Sequence, residues 1–222
     1  TITVTPSLAG CTGPVEIYTI TVNPVPVITP EPDQTYCAGA AVPVNAFVST
    51  PAGATFNWTN SNTAIGLAAS GTGSVPAFTA TNATAAAITA NITVTPVLAG
   101  CTGTADVYTI TVNPIPTVTD PADQTLCANA TTTAVNFTGT AGATFNWTNN
   151  TPSIGLGASG TGNIGSFTAT NATAAPVVAT ITVTPTLAGC TGTPQTFTIT
   201  VNPIPTVGAG PDQTVCQGTP VT

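Results

Sequence analysis

The feature that most restricts what this chain can become is its internal repetition. Cys11, Cys101 and Cys190 each sit in the motif LAGCTG, 90 and 89 residues apart, and Cys37, Cys127 and Cys216 sit in DQTxC at the same two intervals. Trp58 and Trp147, both in GATFNWTN, are 89 apart, so the single-residue length change falls between DQTxC and the tryptophan. A period near ninety is too long for a solenoid rung and suits a small domain with its own core. Cut at the NPxP junctions, the chain divides into the end of one repeat (1–23), two complete repeats (24–113 and 114–202) and the start of another (203–222). With no methionine and a first residue in mid-repeat, it reads as a segment or processed product of something longer.

Strands are visible inside each repeat. In Tyr108-Thr-Ile-Thr-Val-Asn113 the apolar side chains alternate with polar ones, which puts Tyr108, Ile110 and Val112 on one face of a half-buried strand. Ile181–Thr184 and Phe145–Thr148 read the same way, and clusters of Gly, Pro and Asn separate the runs. No segment carries a helical period with a cap and a stop, and strands do not alternate with helices, which disfavours a parallel α/β sheet. About seven short antiparallel strands in ninety residues, with one Trp on an early strand, predict an all-β immunoglobulin-like sandwich for each repeat.

Charge excludes several functions. The chain has no Lys, Arg or His, and its carboxylates are Glu16, Glu31, Asp33, Asp106, Asp120, Asp123 and Asp212. Without cations it cannot neutralise phosphates or anionic lipid, so neither nucleic acid nor a membrane surface is an expected partner. No apolar run approaches the roughly 18 residues needed to span a bilayer. There is no His for a triad, no Lys for a Schiff base and no repeated carboxylate pair, so no catalytic residue and no cofactor is assigned. The missing Lys also rules out Lys–Asn isopeptide cross-links and every trypsin-type cleavage site.

The order NPxP, DQTxC, an aromatic strand with Trp, LAGCTG and YTITVNP resembles the PKD-like and immunoglobulin-like repeats of very large surface proteins in gliding and related Bacteroidota. The resemblance covers the whole chain. It implies export, tandem organisation and a role in adhesion, motility or filament building, and it transfers no catalytic residue.

Six cysteines in an acidic, helix-free repeat fit an oxidising, extracellular setting. Repeat symmetry leaves a few connectivities. Pairing within the repeat, Cys37–Cys101 and Cys127–Cys190, closes the longer loop and is favoured on chain entropy at roughly 4 kcal/mol, with Cys11 and Cys216 then reaching neighbouring repeats. It requires a modified first strand, because a loop before strand B and the F–G hairpin lie at opposite ends of a simple sandwich. Pairing across each junction, Cys11–Cys37, Cys101–Cys127 and Cys190–Cys216, is the alternative. Free thiols are the bland one, and zinc is disfavoured because no cysteine has a CxxC-like neighbour.

The remaining motifs have structural readings. Trp58 and Trp147 are expected in the core rather than on a sugar-stacking face. Asp33, Asp123 and Asp212 of DQT, with Asp120 near Asp123, are expected at turns and caps rather than around calcium. Asn57, Asn82, Asn91, Asn129, Asn136, Asn146, Asn149 and Asn171 stand in N-x-T sequons, which arise readily in this composition. GLGASGTGNIGSF lacks the Lys and helix of a phosphate loop and is read as a flexible turn. The junction prolines, Pro114 and Pro116 among them, stiffen the linkers, and each repeat should advance a rod by roughly 40 Å. With no Lys to guard edge strands, the edges must be blunted by prolines such as Pro76, Pro96 and Pro185, shortened, or covered by another chain.

The expected function is therefore non-enzymatic: a rigid rod or extracellular filament at the cell surface, its partners being neighbouring repeats, other copies of itself in a fibre, and surface glycans. A carbohydrate-binding module array attached to a secreted enzyme is the alternative, and few exposed aromatics are available for it. An ice-binding Thr-x-Thr surface would need longer, flatter ladders than twisted sandwich strands supply.

Overall fold

The computed structural model describes residues 1–208, 210, 212 and 214–218. The repeat expected from residue 203 onward lies partly outside the described residues. The chain forms two compact units, Thr1–Ile115 and Pro116–Thr222.

The first unit opens with β1 (Ile2–Val4), β2 (Ser7–Leu8), β3 (Cys11–Thr12) and β4 (Glu16–Tyr18). They pair β1 with β4 and β2 with β3, and leave Ile2, Val4, Leu8 and Ile17 exposed. The sandwich follows: β5 (Val27–Ile28), β6 (Gln34–Cys37), β7 (Ala41–Val42), β8 (Ser49–Thr50), β9 (Thr55–Asn60), β10 (Ser70–Thr72), β11 (Phe78–Thr79), β12 (Ile88–Leu98), β13 (Cys101–Thr102) and β14 (Asp106–Asn113). Its main sheet runs β10-β9-β12-β14-β6, with β13 folding back on β12. Every pairing in it is antiparallel except β6 with β14, which is parallel. Short ladders β5–β8 and β7–β11 and the Asn45–Val75 bridge bring Ile28, Val42 and Val75 to the same core as Trp58.

Period-two alternation explains the core. Ala90, Ile92 and Val94 of β12 and Tyr108, Ile110 and Val112 of β14 are buried, while the Thr and Asn residues between them point away. At roughly 25 cal/mol per Å² of apolar area, these side chains supply the main favourable term of each fold.

The second unit repeats the plan with β15 (Gln124–Cys127), β16 (Thr144–Asn149), β17 (Ser159–Thr161), β18 (Val177–Leu187), β19 (Cys190–Thr191) and β20 (Gln195–Asn202). Its sheet order is β17-β16-β18-β20-β15, again with the last pairing parallel. Trp147, Ile154, Ile181, Phe197 and Ile199 lie in its core. Each repeat is an all-β, immunoglobulin-like sandwich in which the DQTxC segment forms an edge strand beside the last strand.

Two local expectations are corrected. Pro96 and Pro185 do not guard edges; they sit in the long central strands β12 and β18, paired with Phe56 and Phe145. Pro96 falls between the Val94–Asp106 and Val97–Thr102 pairs, where the β12–β14 ladder has ended and the hairpin ladder has begun, so no partner on that side needs its N–H. The outer strands β10 and β17 of the main sheets are instead kept to three residues each.

Candidate functional site

The residues that sequence alone marks for chemistry are mostly spent on holding the backbone. Asp33 Oδ1 accepts the Thr109 N–H at 2.7 Å and Asp123 Oδ1 accepts the Thr198 N–H at 2.6 Å, which ties the start of the DQTxC strand to the middle of the last strand. The backbone N–H of Thr109 stabilises the charged form and holds the Asp33 carboxyl below its ordinary range. Asp106 Oδ2 likewise accepts the Glu31 N–H at 2.9 Å. Among the described residues no group of three or more His, Cys, Asp or Glu side chains is placed to hold a metal ion.

A shallow depression of about 360 Å³ lies beside Pro121, Asp123, Gln124 and Asn136. Its central side chain is already satisfied: Gln124 Nε2 donates to Thr133 O at 2.9 Å, and its Oε1 accepts the Thr133 N–H at 3.0 Å. Asp123 of the same lining is committed to the Thr198 N–H.

Trp58 and Trp147 are 3% and 8% exposed, and neither indole N–H has a hydrogen-bond partner. Each ring lies over a glycine of the neighbouring strand, Gly71 for Trp58 and Gly160 for Trp147, where a Cβ would overlap the six-membered ring. Gly160 therefore gives part of the glycine-rich segment a fixed role within β17. Gly155 has another, ending a short 3-10 turn (Pro152–Ile154) at φ 98° with Thr168 O in the space a side chain would need. The flexible turn expected of this segment is replaced by two close backbone approaches.

The sequon asparagines divide by burial. Asn82 Nδ2 donates to Val112 O and Ala86 O, both at 2.8 Å, and Asn171 repeats this with Val201 O and Ala175 O. Asn149 is buried, with Nδ2 on Leu156 O at 3.0 Å, as is Asn60 with Leu67 O. Asn57, Asn91, Asn129, Asn136 and Asn146 are exposed. The structural roles of Asn60, Asn149, Asn82 and Asn171 were not read from the motifs. Their recurrence at 89-residue spacing is the sequence signal that marks them.

The cysteines depart from the favoured pairing. Cys37 and Cys190 are disulfide-bonded, whereas Cys11, Cys101, Cys127 and Cys216 carry free thiols. Cys37–Cys101 and Cys127–Cys190 are thus not formed, and neither is the junction alternative. The reason lies in register. Cys37 pairs with Asn113, next to the Val112–Ile88 pair at the start of β12, while Cys101 pairs with Leu98 at its end. Ten residues of strand separate the two ends by roughly 33 Å, far beyond the Cα separation of about 4.4–6.8 Å that a disulfide allows. Near the other cysteine motif, Asn23 Nδ2 donates to Ala99 O at 3.0 Å and Cys101 Sγ donates to Asn23 O at 3.7 Å.

Solved structures similar to this chain include several with tandem immunoglobulin domains. They include Sidekick-1 immunoglobulin domains 1–5 (13% identity, 81% of this chain and 40% of that one, TM-score 0.30). The Ig1-2 module of the Drosophila receptor protein tyrosine phosphatase DLAR is another (12%, 80% and 99%, 0.28), as is the insect immune protein hemolin (14%, 81% and 47%, 0.39). The chain thus spans well under two thirds of the Sidekick-1 and hemolin structures. No curated protein matches it. Residues 123–205, most of the second complete repeat, match the family model of a PKD-like domain.

Proposed function

We propose that this chain is a non-enzymatic structural and adhesive repeat region of an exported protein. In this reading it forms part of a rigid rod or filament outside the cell, in a surface protein of the kind found in gliding and related Bacteroidota. The observation that carries the reading is the identical use of polar side chains in both repeats. Asp33 and Asp123, Asn60 and Asn149, and Asn82 and Asn171 each bond the same backbone groups of their own sandwich. Side chains committed to backbone in this way build a repeated scaffold and leave little for turnover. The PKD-like match and the bonded cysteines support an extracellular setting, and among the described residues no helix is long and apolar enough to cross a membrane.

The repeats are taken to lie at 24–113 and 114–202, joined by stiff proline linkers, with other copies of the chain and surface glycans as partners. Small-angle scattering and electron cryomicroscopy of the purified chain test this. An elongated particle advancing roughly 40 Å per repeat, and beaded filaments at high concentration, are expected. A compact particle that stays monomeric would defeat the reading.

A further inference from the structure

The first strand of the second repeat changes sheets. Residues 117–119 bond residues 138–140, and after Pro121 the chain crosses over to pair β15 with β20. The crossing leaves one side of the segment around Thr133 without a strand among the described residues. On the other side Ala130 and Thr132 bond Ala169 and Phe167, so Thr133, the next residue, turns its N–H and C=O away from them. Those are the two groups that the Gln124 side chain takes up, Nε2 donating to the carbonyl at 2.9 Å and Oε1 accepting the N–H at 3.0 Å. A primary amide offers a donor and an acceptor side by side, as the edge of a neighbouring strand does.

The first repeat closes the same position by other means. Pro43, ten residues after Asp33 as Thr133 is after Asp123, has no N–H to offer. The backbone bonds before the two residues match: the Gly39 N–H donates to Ala80 O and the Ala80 N–H to Ala40 O, as the Asn129 N–H does to Ala169 O and the Ala169 N–H to Ala130 O. Gln34 turns to its own strand instead, where its Oε1 accepts the Tyr36 hydroxyl at 3.0 Å. Leu126 stands in place of Tyr36 in the second repeat and makes no such claim on Gln124. Proline and amide clasp are thus alternatives at one position, each beside the residue that suits it.

An exposed edge is a template for another strand, and this one matches its own kind. A residue that shows N–H and C=O on one side forms, with its equivalent in an antiparallel neighbour, the pair that exchanges two hydrogen bonds. Hollows of about 360 and 280 Å³ flank the clasp, both lined by Gln124 and Thr133, so an approaching main chain has room there. We propose that the Gln124 amide is a built-in substitute for a strand, which keeps the Thr133 edge from pairing with the same edge of a second copy of this chain, and that Pro43 does this for the first repeat. Copies that assemble then do so through other surfaces.

The whole chain tests this as Gln124→Ala, a truncation at a half-buried position outside the apolar core. Sedimentation velocity at neutral pH and low concentration should show a several-fold larger dimer fraction than in the parent. Adding Thr133→Pro to Gln124→Ala removes the N–H as Pro43 does, and should return the chain to the parent's distribution. A Gln124→Ala chain that sediments as the parent does overturns the proposal. So does association that persists in the double variant, which would assign it to something other than the Thr133 edge. Both comparisons are made with the parent at one concentration, so the rod reading and the clasp can fail separately.

Discussion

Position 108 is tyrosine in the first complete repeat, and its counterpart in the second is Phe197; both are 1% exposed. The Tyr108 hydroxyl accepts a hydrogen bond from Asn45 Nδ2 at 3.3 Å. Asn45 bridges to Val75, and the equivalent bridge of the second repeat joins Val135 to Ile164. A Tyr–Asn pair has thus been exchanged for a Phe–Val pair as a unit. A buried polar group left without its partner costs more than both partners removed together. Asn45→Val should therefore destabilise the first repeat by about 1 kcal/mol in urea titrations, and Asn45→Val with Tyr108→Phe should recover most of that loss. Burial also pushes the Tyr108 hydroxyl above its ordinary value of 10.0. A raised folded value means that this contribution is complete below pH 10 and is lost as pH climbs through the folded value. Single-tryptophan variants, Trp147→Phe reporting on Trp58 and Trp58→Phe reporting on Trp147, should show the first repeat loosening at alkaline pH before the second.

Among the elements, the hairpins carry a feature shared by all copies. Ala9, Ala99 and Ala188 take φ of 49°, 47° and 48°, each followed by a glycine with positive φ. Such two-residue turns favour Asn-Gly because an alanine Cβ crowds the following carbonyl. Ala99→Asn should stabilise the first unit by about 0.5–1 kcal/mol in thermal or urea unfolding. The edge strand β6 hangs on Asp33. With its carboxyl held below the ordinary range by Thr109, the tether is intact above the unfolded value and is lost as pH falls through the folded one. Hydrogen exchange of β6 amides should accelerate, relative to intrinsic rates, at acid pH in the native protein, and Asp33→Asn should remove that dependence.

How far these elements could be read from sequence follows from the range of the forces that make them. The burial of Ile92 and Val94, or of Ile110 and Val112, was legible because period-two alternation is local. The parallel seat of β6 beside β14 was not, since it rests on contacts between residues such as Asp33 and Thr109, 76 positions apart. That unseen seat also decided the cysteines, because it carries Cys37 to the end of the sheet away from Cys101. Loop-closure entropy favoured a pairing that strand register forbids. The sequons show the same limit: Asn82 and Asn57 share a motif, but one is bonded into the backbone and the other is exposed.

At the scale of the whole molecule, the absence of cations dictates an unusual response to acid. Seven carboxylates and no Lys, Arg or His give a net charge of −7 at neutral pH and an isoelectric point near 4.1. An ordinary protein taken below its isoelectric point becomes strongly cationic and regains the repulsion that keeps copies apart. This chain has only a terminal amine to charge. As acid removes this negative charge, repulsion falls away and nothing replaces it. Self-association should therefore rise from pH 7 to pH 4 and persist at pH 2, read by dynamic light scattering at low salt. A return to monomer below the isoelectric point would show that charge is not what holds copies apart at neutral pH. Persistence would mean that the Thr- and Asn-rich sheet faces attract one another once the acidic charge is gone, the behaviour required of repeats that pack into a fibre.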